Sequence, residues 1–155
     1  VVEFFSIFKD FNFINFNKIM ANKIIVLMIE DNPLLSGLYS AALRKKGFEV
    51  FVAHNGEDGL KLTEEKHPDI LVLDLFMPGM DGFQVMQKLR DNPNTKNTRV
   101  IVLTVSGNDE HRKKAISLGA EDYLLKQDLH LNQIIDRISL CFPETCQGIN
   151  NPTKE

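Results

Sequence analysis

Three short runs built only of apolar residues constrain this chain most: I-I-V-L-M-I at 24–29, I-L-V-L at 70–73 and V-I-V-L at 100–103. A strand with one face in water alternates apolar and polar residues, whereas an unbroken apolar run suits a strand covered on both faces. The residues between the runs follow a helical period instead. After the first run, Asn32 suits an N-cap and Pro33 the first helical position. Leu34, Leu35, Leu38, Ala41 and Ala42 then recur at helical spacing until Gly47. Residues 48–53 read as another strand, Asn55-Gly56 as a turn, and 57–66 as a short helix stopped before Pro68. Residues 70–74 read as the third strand. Asp81 reads as a cap for a helix that turns Phe83, Val85, Met86 and Leu89 inward, and 91–98 is a polar loop. A weakly apolar helix opens at Asn108 or Asp109 and ends at Gly119, and 123–125 is a short fifth strand. Leu131, Ile134, Ile135, Ile138 and Phe142 then form the apolar stripe of a final helix.

Strand and helix alternate throughout, which predicts an α/β fold with a parallel sheet, helices on both faces and right-handed crossovers. A chain of 155 residues suits one domain, placed here at residues 23–142. Residues 1–22 are expected to be an extension, disordered or not native, because the first nineteen carry six of the chain's 11 Phe interleaved with Asn. They lack the basic start and small-residue cleavage site of a secretory signal. Residues 143–155 read as a polar tail. A formal net charge of -3 suggests no general nucleic-acid binding. No apolar run reaches the ~18 residues of a membrane helix. Cys141 and Cys146 form neither a disulfide framework nor a zinc site, so reduced thiols and a cytoplasmic location are expected.

Ligands of open α/β sheets bind outside the carboxyl ends of the strands. There stand Glu30-Asp31 after the first strand, His54-Asn55 after the second, Asp74 after the third, Thr104 after the fourth and Lys126 after the fifth. Any one of them alone reads as a cap or loop residue; their coincidence at one edge is the signal. Clustered carboxylates repel, and a hard divalent cation with oxygen ligands, Mg²⁺ foremost, is the simplest remedy. Lys126 suits a phosphoryl oxygen, Thr104 adds a hydroxyl, and a carboxylate can serve as the nucleophile of aspartyl-phosphate formation.

The segments I-E-D-N-P-L-L, L-D-L-F-M-P-G-M-D-G, V-L-T-V-S-G and G-A-E-D-Y-L-L-K together resemble the receiver domain of two-component response regulators, in its stand-alone, chemotaxis-regulator-like form. The resemblance implies a flavodoxin-like, doubly wound (βα)5 three-layer sandwich with five parallel strands in the order 2-1-3-4-5. It implies Asp74 as phosphoacceptor, and Glu30, Asp31, Asp74 and the backbone carbonyl of Phe76 around Mg²⁺. Lys126 would contact a phosphoryl oxygen and Thr104 would hydrogen-bond it. Thr104 and Tyr123 would form the switch, moving a surface on the fourth helix, fifth strand and fifth helix. The implied partners are a sensor histidine kinase or phosphotransfer protein and a downstream output protein, with no direct nucleic acid and no membrane. The implied state is a monomer or weak phosphorylation-dependent dimer. Such a domain is a phosphorelay signalling module and not an enzyme, beyond autocatalysed phosphoacceptance and self-dephosphorylation.

The chain departs from the family pattern at four positions. Glu30 replaces the commoner Asp, Gln127 stands where many members have Pro, Val105 is bulkier than the usual small residue, and Phe76 is a large apolar residue two after Asp74. Phe76 is expected to shield the acyl phosphate from water and slow its loss. Two other functions compete. A pseudo-receiver, binding partners without phosphorylation, would be favoured by loss of an acid, Thr104 or Lys126, and all are present. A phosphatase with an Asp nucleophile typically has a second acid two residues on, where this chain has Phe76.

Overall fold

The computed structural model describes residues 23–142, so the expected extension and tail lie outside the described residues. The elements are β1 (Ile25–Ile29), α1 (Pro33–Lys45), β2 (Glu49–Ala53), α2 (Gly56–Lys66), β3 (Ile70–Leu73), α3 (Gly82–Asp91), β4 (Arg99–Thr104), α4 (Asp109–Ser117), β5 (Asp122–Leu125) and α5 (Leu131–Leu140). The sheet order is β2-β1-β3-β4-β5 and every pairing is parallel. This is the doubly wound sheet the alternation predicts.

The unbroken apolar runs divide between two cores because successive side chains of a strand point to opposite faces. Leu27, Ile29, Leu71, Leu73, Val100 and Val102 pack with Phe83, Val85, Met86 and Leu89 of α3 and Ala115 of α4. Val26, Met28, Ile70, Val72, Ile101 and Leu103 pack with Tyr39 and Leu43 of α1 and Ile134, Ile135 and Ile138 of α5. Burying each such aliphatic side chain is worth about 1.5–3 kcal/mol. A polar residue anywhere in these runs would face one core or the other. Phe142, expected in the α5 stripe, lies just past the helix end but still packs on this second core, edge-on to Phe48.

The helix starts follow local chemistry. Asn32 Oδ1 accepts from the backbone N–H of Leu34 and Leu35 at 3.0 and 3.1 Å. Asp81 and Gln84 form a reciprocal capping box, at 2.8 and 3.0 Å. Asn55-Gly56, expected as a turn, instead opens α2. Asn55 is its N-cap, accepting from Asp58 N–H at 2.8 Å, and Gly56 is its first residue. The glycine fits there by contact: an added Cβ would stand 2.8 Å from Val85 Cγ2 and 2.9 Å from Met80 Cβ.

Helix α4 is held differently from the rest. Ala115 is its one buried residue. Polar links grip its end instead, as Arg90 of α3 donates to the carbonyls of Leu118 and Gly119 at 2.9 and 3.1 Å, and to those of Lys96 and Thr98 at 3.0 Å each.

Candidate functional site

Ile29 of β1 pairs with Leu73 of β3 at the carboxyl edge of the sheet, so the residues that follow, Glu30 and Asp74, emerge side by side. Asp31 comes next on the first chain. One carboxylate oxygen from each of Glu30, Asp31 and Asp74 lies within 4.8 Å of the other two. On the far side, Thr104 of β4 pairs with Leu125 of β5, and Lys126 comes next. Its side chain reaches back across the edge. Lys126 Nζ donates to Glu30 Oε2 at 2.6 Å and to Asp74 Oδ2 at 2.8 Å.

This triad is buried: the side chains of Lys126, Glu30 and Asp74 are 9%, 4% and 7% exposed. Buried charges persist only when paired and hydrogen-bonded. The remaining oxygens are accordingly engaged, Asp74 Oδ1 by Phe76 N–H and Glu30 Oε1 by Asn32 N–H, each at 3.3 Å. Burial raises the Glu30 carboxyl above its ordinary value, Lys126 offsetting part of that and the charge of Asp74 adding to it. For Lys126, burial pulls the ammonium down, but the hydrogen bonds to Asp74 and then Glu30 outweigh it and the net shift is upward. Although the chain turns away after Asp74, its carboxylate is covered, because two adjacent buried carboxylates draw the lysine over them.

The turn after Asp74 is built tightly. Gly82 N–H donates to Leu75 O at 2.9 Å, and a Cβ on Gly82 would collide with the carbonyl oxygen of Asp74. Thr104 is fully buried at the end of β4, and its Oγ1 accepts from Ser106 N–H at 3.4 Å. Tyr123 is buried as well, with its hydroxyl donating to Ser106 O at 2.8 Å. Arg112 lies 4.7 Å over the Tyr123 ring and donates to its carbonyl at 3.2 Å. Val105 is 60% exposed. Gln127 follows a trans peptide and donates through Nε2 to Val105 O at 3.0 Å, tying the loop after β5 to the loop after β4.

Two residues not picked out from the sequence join this arrangement. His111, in α4, shares a 2.7 Å hydrogen bond between its Nδ1 and Ser106 Oγ. Its ring packs 5.3 Å from that of Phe76 and 5.7 Å from that of Phe83. Ser106 therefore meets Thr104, Tyr123 and His111 at once. A serine two residues after a strand-end threonine was the available signal; His111 gave none, since the rings it packs against come from distant parts of the chain.

Comparison with known proteins bears on the family. Residues 26–139 match the model of the response regulator receiver domain. The chain is 38% identical over 101 residues to the transcriptional regulatory protein AfsQ1 of Streptomyces coelicolor, covering 65% of this chain and 44% of AfsQ1. It is 34% identical over 101 residues to protein PilH of Pseudomonas aeruginosa, covering 65% of this chain and 84% of PilH. Among solved structures, the receiver domain of Francisella response regulator 1452 superposes with a TM-score of 0.71 at 26% identity, covering 79% of this chain and 99% of that one. The match to AfsQ1 thus spans less than half of that protein's length. With a family match over most of its length and the family's sheet order, this chain belongs to the response regulator receiver domains, the signalling modules of two-component phosphorelays.

Proposed function

We propose that Asp74 accepts a phosphoryl group from a phosphohistidine on a sensor kinase or phosphotransfer protein, and that the modification resets a partner-binding surface. The observation carrying this reading is the charge balance at the sheet edge, where Asp31 is half-exposed beside buried Glu30 and Asp74. Three carboxylates face one ammonium, a formal excess of two negative charges among side chains that offer only hard oxygen donors. That donor set fits Mg²⁺. Glu30, Asp31, Asp74 and the backbone carbonyl of Phe76 would hold the ion, which when bound supplies the charge neutralisation that lets an anionic phosphoryl group approach.

The chain's own residues account for the rest. An Asp74 carboxylate oxygen attacks phosphorus, the P–N bond of the donor breaks, and the imidazole leaves with a proton from solvent. Lys126, already within hydrogen-bonding distance of Asp74, neutralises charge at the acceptor and is placed to follow a phosphoryl oxygen. Thr104, one strand over, offers its hydroxyl to the same group. Its movement would pull on Ser106 and through it on Tyr123 and α4, whose slight burial leaves it free to shift. The output partner then reads the surface of α4, β5 and α5. On the donor side, Leu34 and Leu38 of α1 are 81% and 50% exposed, and Leu34 comes three residues after Asp31. Apolar surface so close to the acids supports donor docking there.

Mass spectrometry after incubation with a small phosphodonor tests the reading. The wild type is expected to gain one phosphoryl group only with Mg²⁺, and Asp74→Asn none. A wild type that stays unmodified would overturn it in favour of a binding module that works without phosphorylation.

A further inference from the structure

We propose that His111 is a positioning residue that holds the Phe76 ring beside Asp74 and so prolongs the life of a phosphoryl group carried there. The proposal rests on Asp74 being the acceptor, as argued above. Phe76 is tied to the site through its backbone, its N–H donating to Asp74 Oδ1. That bond leaves the side-chain torsions open, and the ring is 46% exposed. What the ring rests on is His111, at 5.3 Å between centroids and 55° between planes.

His111 is itself held from two further sides. A second ring neighbour is Phe83, 5.7 Å away, 8% exposed and part of the core of α3. Lys114, one helical turn along from His111, sits 4.3 Å over that same Phe83 ring. His111 Nδ1 is bonded to Ser106 Oγ, which fixes the rotation of the imidazole. The imidazole thus contacts both a ring the core anchors and the half-exposed ring of Phe76, two residues after Asp74. It transmits the order of the first to the second. Offset or tilted ring contacts of this kind bias orientation by about threefold to tenfold beyond simple burial.

The chemistry affected is hydrolysis of the acyl phosphate. Water oxygen attacks phosphorus, the bond from phosphorus to the Asp74 oxygen breaks, and inorganic phosphate leaves with the carboxylate restored. A hydrophobic ring standing beside that bond excludes the attacking water, and a ring free to swing admits it. Position also connects His111 to the switch, because Ser106 is the residue to which the Thr104 hydroxyl and the Tyr123 hydroxyl are both bonded.

The test follows decay of the phosphoryl adduct, loaded from a small donor with Mg²⁺, in wild type, His111→Ala, His111→Phe, His111→Gln, Phe76→Ala and the His111→Ala/Phe76→Ala double variant. His111→Ala is expected to speed decay about threefold to tenfold. His111→Phe, which keeps a ring, should stay near wild type, and His111→Gln, which keeps a hydrogen-bonding group toward Ser106, should resemble His111→Ala. The double variant should decay no faster than Phe76→Ala. In the metal-free protein, NMR of labelled phenylalanine should show the Phe76 ring losing its ring-current shift in His111→Ala and retaining one in His111→Phe. An unchanged lifetime in His111→Ala, rescue by Gln in place of Phe, or effects that multiply in the double variant would each overturn the proposal. No adduct in the wild type would instead bring down the Asp74 reading, and this proposal with it.

Discussion

Replacing Lys126 with Met isolates the electrostatics of the site, because the apolar stem is kept and only the ammonium is lost. In the wild type that ammonium stands 2.6 Å from Glu30 and 2.8 Å from Asp74, in surroundings less than a tenth exposed. Without it, three carboxylates remain with oxygens inside 4.8 Å of one another. Two unit charges at that spacing repel by about 3–4 kcal/mol at an effective dielectric of ~20. Stripping one partner from a buried ion pair costs about 3–5 kcal/mol, which agrees. The metal-free variant should therefore lose about 3–5 kcal/mol at pH 7, lowering the urea midpoint by ~2 M at a slope of ~2 kcal/mol/M. The loss should depend on pH with a definite sign. The Glu30 carboxyl is already raised above 4.5 by burial, and removing Lys126 removes what holds it down. A carboxyl raised in the folded state costs stability at pH above its folded value, and the cost is relieved as pH falls through that value. The gap between variant and wild type should thus narrow as pH falls through the raised Glu30 value toward 4.5. The gap should also narrow in alkali. The raised Lys126 contributes stability in full below 10.5 and loses it as pH rises through its folded value. Mg²⁺ at a hundredfold over its dissociation constant would return about 2.7 kcal/mol. Urea titrations followed by circular dichroism at pH 7 and pH 4.5, with chelator and with Mg²⁺, measure all of this. A loss below ~1 kcal/mol at pH 7, or an equal loss at both pH values, would refute the reasoning, since taking the cation away from buried carboxylates must cost more where they are charged.

Two substitutions test the surroundings. Gly82→Ala would press a methyl onto the carbonyl oxygen of Asp74 and to 2.7 Å from Leu75 Cα, backbone that can yield only by moving the turn after Asp74. A loss of about 1–3 kcal/mol in chemical unfolding and slower adduct formation are expected, and an unchanged midpoint would contradict the contact. Leu34→Asp, at a position 81% exposed, should change stability by less than ~0.5 kcal/mol and leave loading by a small phosphodonor intact. It should slow transfer from a phosphohistidine protein about fivefold or more, the cost of placing one charge in an apolar contact. Equal rates from both donors, before and after the change, would remove Leu34 from the docking surface.

The parts of the fold legible in the sequence are those governed by period. Val26 and Met28 enter one core while Leu27 and Ile29 enter the other, so a run that is apolar at every position announces a doubly covered strand. The acids after β1 and β3 were legible for the same reason, since charge directly after such a run must stand at the sheet edge. What stayed hidden depends on contacts between distant segments. Asn55 suits a turn and a cap equally, because either way its side chain accepts a nearby N–H; the choice is made by Met80 and Val85 packing against Gly56. The reach of Lys126 is likewise a matter of space, as it crosses from the end of β5 to residues just past β1 and β3, with β4 between.

Helix α4, proposed above as part of the switch surface, is hard to read from residue types, yet the way it is held follows from them. Its sequence, D-E-H-R-K-K-A-I-S, offers one residue to the core, so burial cannot hold it. Its place comes from Arg90 at the carboxyl end and from the bonds of His111 and Arg112 to Ser106 and Tyr123 near the other. Each such bond is worth only about 0.5–3 kcal/mol net and depends on geometry more than on area. A helix fastened this way can exchange one set of partners for another while both cores stay packed. A strongly amphipathic helix such as α5 would have to expose Ile134, Ile135 and Ile138 to do the same, at about 1.5–3 kcal/mol each. The poor apolar stripe of α4 is therefore what would let small displacements at Ser106 move it, as the proposed switch requires.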